Sequence, residues 1–227
     1  MQHRPGRTLR TWAIVLLILG VALNVGAVVL MVKVFEPVAQ GGDAMLPTLR
    51  DGDEILLKRD PAEVRRGDIV SFESVAWQRQ WPSIGRVVAV EGDHIAYAKG
   101  DDALTLNGQP LDEPYVLGGA PGDPGLSFAV SVPRGRVFVL GDNRGNSEDS
   151  RYFPELQYGT LAVSDVTGVQ VPEENMLMLT LGAVSTVGTL ALPVGIVLGI
   201  SARVVRRRNP APVPTGPVWG AVHVEES

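Results

Sequence analysis

The sequence contains no cysteine, which excludes disulfide bonds and every metal site built from thiolates. Histidine is also scarce, since His3, His94 and His223 are far apart and share no spacing typical of metal ligands. The chain has 227 residues, so a segment of the size of an ordinary domain can bury its own core without cross-links. We therefore predict neither a metal nor another cofactor for this protein.

Positive charge is scarce in the middle of the chain. Between Pro37 and Asn175 there are 22 acidic and 12 basic residues, which gives this segment a net charge of about −10. A surface this acidic has no electrostatic attraction for phosphate backbones. The sequence thus excludes nucleic acid as a partner.

Charge is absent from two long apolar runs, Trp12–Val32 and Met176–Ala202. Each run is long enough to cross a hydrocarbon core of about 30 Å as a helix. A cleaved signal peptide is the alternative for the first run, but its apolar region would be shorter and would end at a small-residue cleavage site. A buried core helix is the alternative for the second run, but such a helix is rarely apolar on all faces. We predict two transmembrane helices.

The charges that flank these runs predict their orientation. Arginines precede the first run at positions 4, 7 and 10 and follow the second at positions 203, 206, 207 and 208, and such residues concentrate on the cytoplasmic side. The predicted order is a cytoplasmic N-terminus (1–11), a span (12–32), an extracytoplasmic domain (33–175), a span (176–202) and a cytoplasmic tail (203–227). The tail is basic and then rich in proline, and we expect it to be disordered from Asn209 onward. The expected location is the plasma membrane, with the lipid bilayer as a partner.

Short β-rich runs separated by turn residues fill the segment between the spans. The runs predicted as strands are Glu54–Lys58, Asp68–Phe72, Arg86–Val90 and Arg136–Leu140. Asn107-Gly108 is a hairpin signal, and Gly118–Gly125 contains too much glycine and proline for a strand. The predicted fold class is mainly β: an antiparallel β-rich outer domain flanked by two transmembrane helices.

Four motifs between the two apolar runs carry a family resemblance. They are Phe35-Glu36-Pro37 leading into Gly42–Leu49, then Arg66–Phe72, then Ile84–Asp93, and last Val139–Arg151. The long run Gly-Asp-Asn-Arg to Asp-Ser-Arg within the last motif is highly specific. With these motifs in this order, the chain resembles type I signal peptidases, membrane-bound Ser-Lys endopeptidases that remove signal peptides from exported proteins.

The resemblance implies that both reacting groups of the family are missing. Ala44 stands where the family has its serine nucleophile, and Gly85 stands where it has the lysine that serves as general base. The chain has three lysines, Lys33, Lys58 and Lys99, and none is at the family's position. Nearby reactive groups that could replace the pair are Asp43 and Ser83, although an exposed carboxylate and a surface turn explain these two residues without catalysis.

Other residues of the family's motifs are present. They are Met45, Pro47, Arg86, Asp142, Asn143, Arg144, Ser147, Asp149, Ser150 and Arg151. The resemblance aligns Ser147 with a serine that hydrogen-bonds the base lysine, and it aligns Asp149 and Arg151 with a charge pair under the active site. We favour a structural role for these residues over a role in recognition. For Trp77 and Trp81, core packing and contact with lipid headgroups remain equally open, and Phe72 lies in the same stretch.

The leading functional hypothesis is a catalytically inactive signal peptidase I-like protein of the export pathway that binds signal peptides or exported precursors. An active signal peptidase paralogue is a possible partner. The first alternative is a signal peptidase I endopeptidase that cleaves with non-standard catalytic residues. The second is a structural subunit of an envelope-assembly complex.

Overall fold

The computed structural model describes residues 7–59, 61, 63–77, 82–122, 125–172 and 175–208. These residues form two compact units. One unit comprises the helical residues up to Val29 and from Leu179 onward, and the other runs from Leu30 to Met178. The tail from Asn209, together with Trp81, His3 and His223, lies outside the described residues.

Two long helices, α1 (Arg7–Val34) and α2 (Met176–Arg208), contain the predicted spans. Both are long and apolar enough to cross a membrane, with mean hydropathies of 2.8 and 2.0 over their most apolar windows. Asn175 caps α2, because its side-chain oxygen accepts hydrogen bonds from the backbone N–H groups of Leu177 and Met178. Membrane insertion and the domain boundaries stay predictions.

Small residues let the two helices pack closely along a seam. The buried residues of the seam recur every seven positions, which is the spacing of a left-handed helix pair. They are Ala13, Gly20 and Ala27 in α1 and Leu181, Gly188, Gly195 and Ala202 in α2. A β-carbon on Gly188 would lie only 2.9 Å from the carbonyl oxygen of Gly20, so the two backbones are nearly in contact there.

Asn24, the polar residue within the first apolar run, holds this helix pair by hydrogen bonds. Its Nδ2 donates to the carbonyl oxygen of Gly20 (2.9 Å), and its Oδ1 accepts from Ser185 Oγ (2.9 Å) and Thr189 Oγ1 (3.1 Å). The bond to Gly20 lies within α1, whereas the bonds from Ser185 and Thr189 join α1 to α2, and such bonds between helices are favourable where no water is available to replace them. Asn24 therefore links the helices rather than interrupting a span.

We expect Gly188→Leu to destabilise the helix pair, because the new side chain would overlap Asn24 and Gly20. Gly182→Leu is the matched control in the same helix, since a β-carbon there would meet no atom within 4 Å. Thermal unfolding of the full chain in detergent micelles, followed by helical circular dichroism, measures the difference. Equal melting temperatures for the two variants would contradict this packing.

The other unit contains the β-strands, which occupy short stretches between the helices. Their bounds are β1 (Phe35–Ala39), β2 (Glu54–Arg59), β3 (Ile69–Phe72), β4 (Ser83–Val90), β5 (His94–Tyr97), β6 (Thr105–Leu106), β7 (Gln109–Pro110), β8 (Phe128–Ser131), β9 (Arg136–Leu140), β10 (Leu161–Ala162) and β11 (Val166–Gln170). The four strands predicted from the sequence are confirmed. The third begins earlier than predicted, at Ser83, so the interpretation of Ser83 as part of a surface turn is wrong.

All pairings in the β unit are antiparallel. One sheet has seven strands in the order β1-β2-β11-β3-β4-β9-β10, and the other has four in the order β7-β6-β5-β8. Asn107 and Gly108 both have positive φ and connect β6 to β7, which confirms the hairpin. Gly118 and Gly119 also have positive φ, so the described part of that glycine-rich segment is a loop. The predicted antiparallel, mainly β domain is confirmed.

The core of the β unit forms three clusters of apolar side chains. One joins the two sheets around Phe138 and Leu140, and a second lies around Val87 and Val139. The third packs Met45 against β2 and β3, which fixes the segment that follows β1. Burial of these side chains provides the main stabilisation of the strands that carry the candidate site.

Trp77 belongs to the core, which settles the choice that the sequence left open. It is buried, meets Phe72 edge to face with ring centroids 5.6 Å apart, and stacks on Phe153 at 4.6 Å. Such ring pairs add to the stability gained by burial alone. Contact of Trp77 or Phe72 with lipid headgroups is therefore excluded by their burial in the β unit.

Candidate functional site

A cavity of about 640 Å³ opens between three segments of the β unit. One wall is the end of β1 and the segment after it, 39–44, and the opposite wall is the start of β4 with Pro82 and Phe72. Val139, Gly141 and residues 146–149 form the floor. The Val139–Arg151 motif and the two motifs that carry positions 44 and 85 thus meet at one place.

Ala44 and Gly85 both line this pocket, although 41 residues separate them in the sequence. Gly85 is buried, and Ala44 is partly exposed. Lys33, Lys58 and Lys99 are exposed, and none of them lines the pocket. The structure therefore places the two positions that the resemblance aligns with nucleophile and base beside one cavity, and neither side chain there can attack a carbonyl or accept a proton.

Val139 occupies the space beside Gly85. A β-carbon built on Gly85 would lie 2.5 Å from Val139 Cγ1 and 3.5 Å from both Phe72 Cε1 and the Leu140 carbonyl oxygen. Val139 is fully buried, and its β-branched side chain has few alternative rotamers. A side chain at position 85 would therefore require Val139 to move.

Asp149 and Arg151 form a buried ion pair beneath the floor of the pocket. Arg151 Nε donates to Asp149 Oδ1 (2.7 Å), and Arg151 Nη2 donates to Asp149 Oδ2 (2.8 Å). The Asp149 side chain is 4% exposed, and the Arg151 side chain is 0% exposed. Asp149 Oδ2 also accepts from the N–H of Gly141 (3.0 Å), and Arg151 Nη2 donates to the carbonyl oxygen of Arg144 (2.9 Å). The ion pair therefore holds both Gly141 and Arg144, the two ends of the turn that forms part of the pocket floor.

The two serines of this motif have different surroundings. Ser150 Oγ accepts a hydrogen bond from the backbone N–H of Val139 (2.9 Å), so it connects the turn to β9. The Ser147 side chain lines the pocket, and a β-carbon on Gly141 would overlap its hydroxyl. The same β-carbon would lie 2.6 Å from the Ala44 carbonyl oxygen, so only glycine fits at position 141.

Arg86 and Asp142 form a second paired network that lies behind the pocket. Arg86 Nε and Nη2 donate to the two carboxylate oxygens of Asp142 (2.8 and 2.6 Å), and Thr48 Oγ1 donates to Asp142 Oδ2 (2.5 Å). The guanidinium lies 4.0 Å from the ring centroid of Tyr115. Burial opposes the charge on Arg86, but the hydrogen bonds and charge of Asp142 outweigh it and raise the pKa of Arg86.

Tyr115 and Arg144 share the carboxylate of Glu113. Tyr115 donates its hydroxyl hydrogen bond to Glu113 Oε1 (2.8 Å), and burial together with that carboxylate raises the pKa of Tyr115 well above its usual value. Arg144, which is almost fully buried, donates to both Glu113 oxygens (3.0 and 2.6 Å) and to the carbonyl oxygen of Pro121 (2.6 Å). This network connects the motif after β9 to the segment 113–121.

The remaining motif residues hold the segment of Ala44. Met45 is fully buried in the core, whereas Pro47 is exposed. The backbone N–H of Asn143 donates to the Ala44 carbonyl oxygen (3.0 Å), and its Nδ2 donates to the Asp43 carbonyl oxygen (3.1 Å). The backbone of position 44 is therefore held in place without a functional side chain.

Of the two groups considered as replacements, Asp43 is exposed at the edge of the pocket and Ser83 lies within the pocket wall. Neither has a lysine or histidine beside it in the described lining. Within the ranges described, no cluster of His, Asp or Glu has the arrangement of a metal site.

Sequence reasoning missed two residues of this site, Gln40 and Val139. Gln40 follows β1 in the pocket wall, and only 4% of it is exposed. The sequence shows a polar residue directly before Gly41-Gly42, but it does not show that this residue is buried in the wall of a cavity. Val139 was identified as a strand residue and as the first residue of the last motif, but its contact with Gly85 was not predicted, because a strand pattern does not show which neighbour a side chain faces.

Comparison with known proteins shows which family the chain belongs to. The sequence profile of the family described as signal peptidase, peptidase S26 matches residues 9–172, which is more than half of the chain. The chain belongs to the signal peptidase I family. It therefore shares its ancestry with proteins that process signal peptides, and all four motifs lie inside the matched region.

Signal peptidases I from several bacteria are similar to this chain. A signal peptidase I of Bacillus caldolyticus is 34% identical over 149 residues, covering 60% of this chain and 76% of the relative. A probable signal peptidase I-1 of Synechocystis is 35% identical over 163 residues, covering 60% and 80%. A crystal structure of a signal peptidase I from Enterococcus faecalis is 28% identical, covers 48% of this chain and 97% of that one, and has a TM-score of 0.39.

Proposed function

We propose that this protein is a non-hydrolytic member of the signal peptidase I family that binds signal peptides of exported precursors in the pocket between β1 and β4. The observation that carries the proposal is that Ala44 and Gly85 meet at this pocket, with Val139 filling the place beside Gly85. Cleavage by a Ser-Lys pair requires a hydroxyl and an amine at these positions. Binding an extended peptide requires neither.

Free strand edges beside the pocket support peptide binding. In the described part of the sheet, β1 pairs only with β2, so its other edge is open. β4 pairs with β9 only from Arg86 onward, which leaves Ser83–Gly85 without a strand on that side. An extended peptide can add to such edges through its backbone while its side chains enter the pocket.

The binding test compares two matched variants of the full chain in detergent. Ala44→Phe places a large side chain in the pocket, whereas Ala129→Phe places it on the exposed face of β8. We expect a fluorescent synthetic signal peptide to bind Ala129→Phe like the unmodified protein and to bind Ala44→Phe at least about tenfold more weakly. Mass spectrometry should recover the peptide uncut.

Two results would overturn the proposal. Equal binding by both variants would mean that the pocket is not the binding site. Cleavage that persists after repurification would favour the second candidate, an endopeptidase with non-standard residues. That candidate has one observation in its favour, since Ser83 and Ser147 line the same pocket. An active signal peptidase paralogue as a partner is a further part of this proposal.

We further propose that α1 and α2 span the plasma membrane with both termini in the cytoplasm and residues 33–175 outside. The arginines that flank the helices support this orientation. Single cysteines at Asp101 and Ala211 test it, because the chain has no other thiol. We expect an impermeant thiol reagent on intact cells to label position 101 alone, and labelling of position 211 alone would reverse the orientation.

A further inference from the structure

A single carboxylate oxygen connects the two walls of the pocket. Asp142 lies directly after the pocket floor, and its Oδ2 accepts hydrogen bonds from Thr48 Oγ1 (2.5 Å) and from Arg86 Nη2 (2.6 Å). Thr48 lies four residues after Ala44 of one wall, and Arg86 directly follows Gly85 of the other. Side chains from both walls therefore meet at one atom behind the pocket.

On the side of β4, this junction is held by several further contacts. Arg86 Nε donates to Asp142 Oδ1 (2.8 Å), and Arg86 Nη1 donates to the carbonyl oxygen of Gly67 (3.0 Å). The guanidinium lies 4.0 Å from the ring centroid of Tyr115, and β4 is paired with β3 along this stretch. The Asp142 side chain is 0% exposed. Paired hydrogen bonds between a guanidinium and a carboxylate fix their geometry, so Oδ2 has a set position relative to Gly85.

The wall that carries Ala44 lies beyond the end of β1 and outside the sheets. Contacts with two residues after the floor hold it. Asn143 donates to the carbonyl oxygens of Asp43 (3.1 Å) and Ala44 (3.0 Å), and the Thr48 hydroxyl donates to Asp142. Hydrogen bonds to a charged group contribute more than those between neutral groups. The Thr48 contact is therefore the stronger type of link between this wall and the rest of the site.

We propose that Thr48 is a positioning residue for peptide binding, because its hydrogen bond to Asp142 keeps the wall that carries Ala44 at the distance from β4 that admits one extended peptide. This inference rests on the proposed peptide-binding function and names a residue that keeps the pocket in its binding shape. Thr48 is not part of the cavity lining as described, so it acts on a ligand through the wall. A hydroxyl suits this role, since its hydrogen bond to the carboxylate is directional.

The binding test compares two substitutions at position 48 in the full chain in detergent. Thr48→Val keeps the branched shape and removes the hydroxyl, whereas Thr48→Ser keeps the hydroxyl. We expect Thr48→Val to bind a fluorescent synthetic signal peptide at least about fivefold more weakly than the unmodified protein, and Thr48→Ser to bind it equally well. Thr105→Val is the matched control, because its hydroxyl donates to the carbonyl oxygen of Ala96 (3.2 Å) in the four-stranded sheet. Its affinity should be unchanged.

A second measurement reports the separation of the walls without any peptide. Gly41 and Pro82 are exposed residues of opposite walls, and the chain has no cysteine, so Gly41→Cys with Pro82→Cys allows two spin labels to be attached selectively. Dipolar electron paramagnetic resonance then gives the distribution of distances between the labels. We expect the same narrow distribution in this parent and with Thr48→Ser added, and a broader one with Thr48→Val added.

The two measurements separate the positioning role from the proposed function. Equal peptide binding by the unmodified protein and Thr48→Val overturns the role of Thr48 and leaves peptide binding intact. Weaker binding with an unchanged distance distribution also overturns it, because the walls would then keep their separation without the hydroxyl. Absence of binding by the unmodified protein overturns the proposed function and this inference together. If Thr48→Val does not fold, Thr48→Ala replaces it, with the same expected results.

Discussion

The triple variant Ala44→Ser, Gly85→Lys, Val139→Ala is expected to cleave a synthetic signal peptide, whereas Ala44→Ser with Gly85→Lys alone is expected to remain inactive. Serine and lysine restore the groups that the family's mechanism needs. The structure adds a steric requirement, because Val139 Cγ1 lies 2.5 Å from the position of a β-carbon on Gly85. Removing that methyl group makes room for the lysine stem, and burial of the stem beside Phe72 would lower the pKa of its amine.

The expected gain in cleavage rate is large, because nucleophile and base work only together. Loss of one member of such a catalytic set lowers the rate by a factor of about 10⁴ to 10⁶. Even a poorly placed pair should cleave at least about tenfold faster than the double variant. Product analysis by mass spectrometry over hours, with purified protein in detergent, measures this rate. Ala44→Ser with Val139→Ala is the matched control, which has the nucleophile and the space but no base.

Two outcomes would contradict this account of the pocket. If the double variant cleaves as fast as the triple variant, Val139 does not obstruct position 85. If the triple variant binds peptide and still does not cleave, restoring the reacting groups at positions 44 and 85 is not sufficient for catalysis in this pocket.

Local sequence patterns were sufficient to predict most of the β domain. The alternating run Arg136–Leu140 and the turn pair Asn107-Gly108 were both recognisable, because strand periodicity and positive φ are properties of neighbouring residues. The start of β4 was missed because Pro82 and the tryptophans before it interrupt the pattern, and Ser83 then looks like part of a turn.

Contacts between distant segments could not be predicted in this way. Trp77 was ambiguous because its stacking partner, Phe153, is 76 residues further along the chain. The same limit applies to the site: the motifs identified Ala44 and Gly85, but not Val139 beside Gly85 or the buried amide of Gln40. A motif shows which residue stands at a given position of the family. It does not show which neighbouring side chain fills the space beside that residue, because this depends on how distant segments pack.

The stability contribution of the charged pair in the last motif depends on its burial, which the sequence does not show. An Asp-Ser-Arg run is compatible with an exposed pair, which is worth about 0 to 1 kcal/mol, or with a buried pair, for which removal of one partner costs about 3 to 5 kcal/mol. The side chains of Asp149 and Arg151 are 4% and 0% exposed and share two side-chain hydrogen bonds. They therefore belong to the second class.

We accordingly expect Asp149→Asn and Arg151→Gln each to lower the melting temperature of the full chain by about 10 °C. Each change leaves one buried charge without its partner, and Asp149→Asn also weakens the acceptor for the Gly141 N–H. Arg65→Gln is the control, because its pair with Glu63 is exposed on both sides and should leave the melting temperature unchanged. Melting is measured in detergent alongside binding of the fluorescent signal peptide. Unchanged melting with abolished binding would show that the pair serves recognition instead, whereas a lowered melting temperature with binding preserved below the transition would show that it is structural.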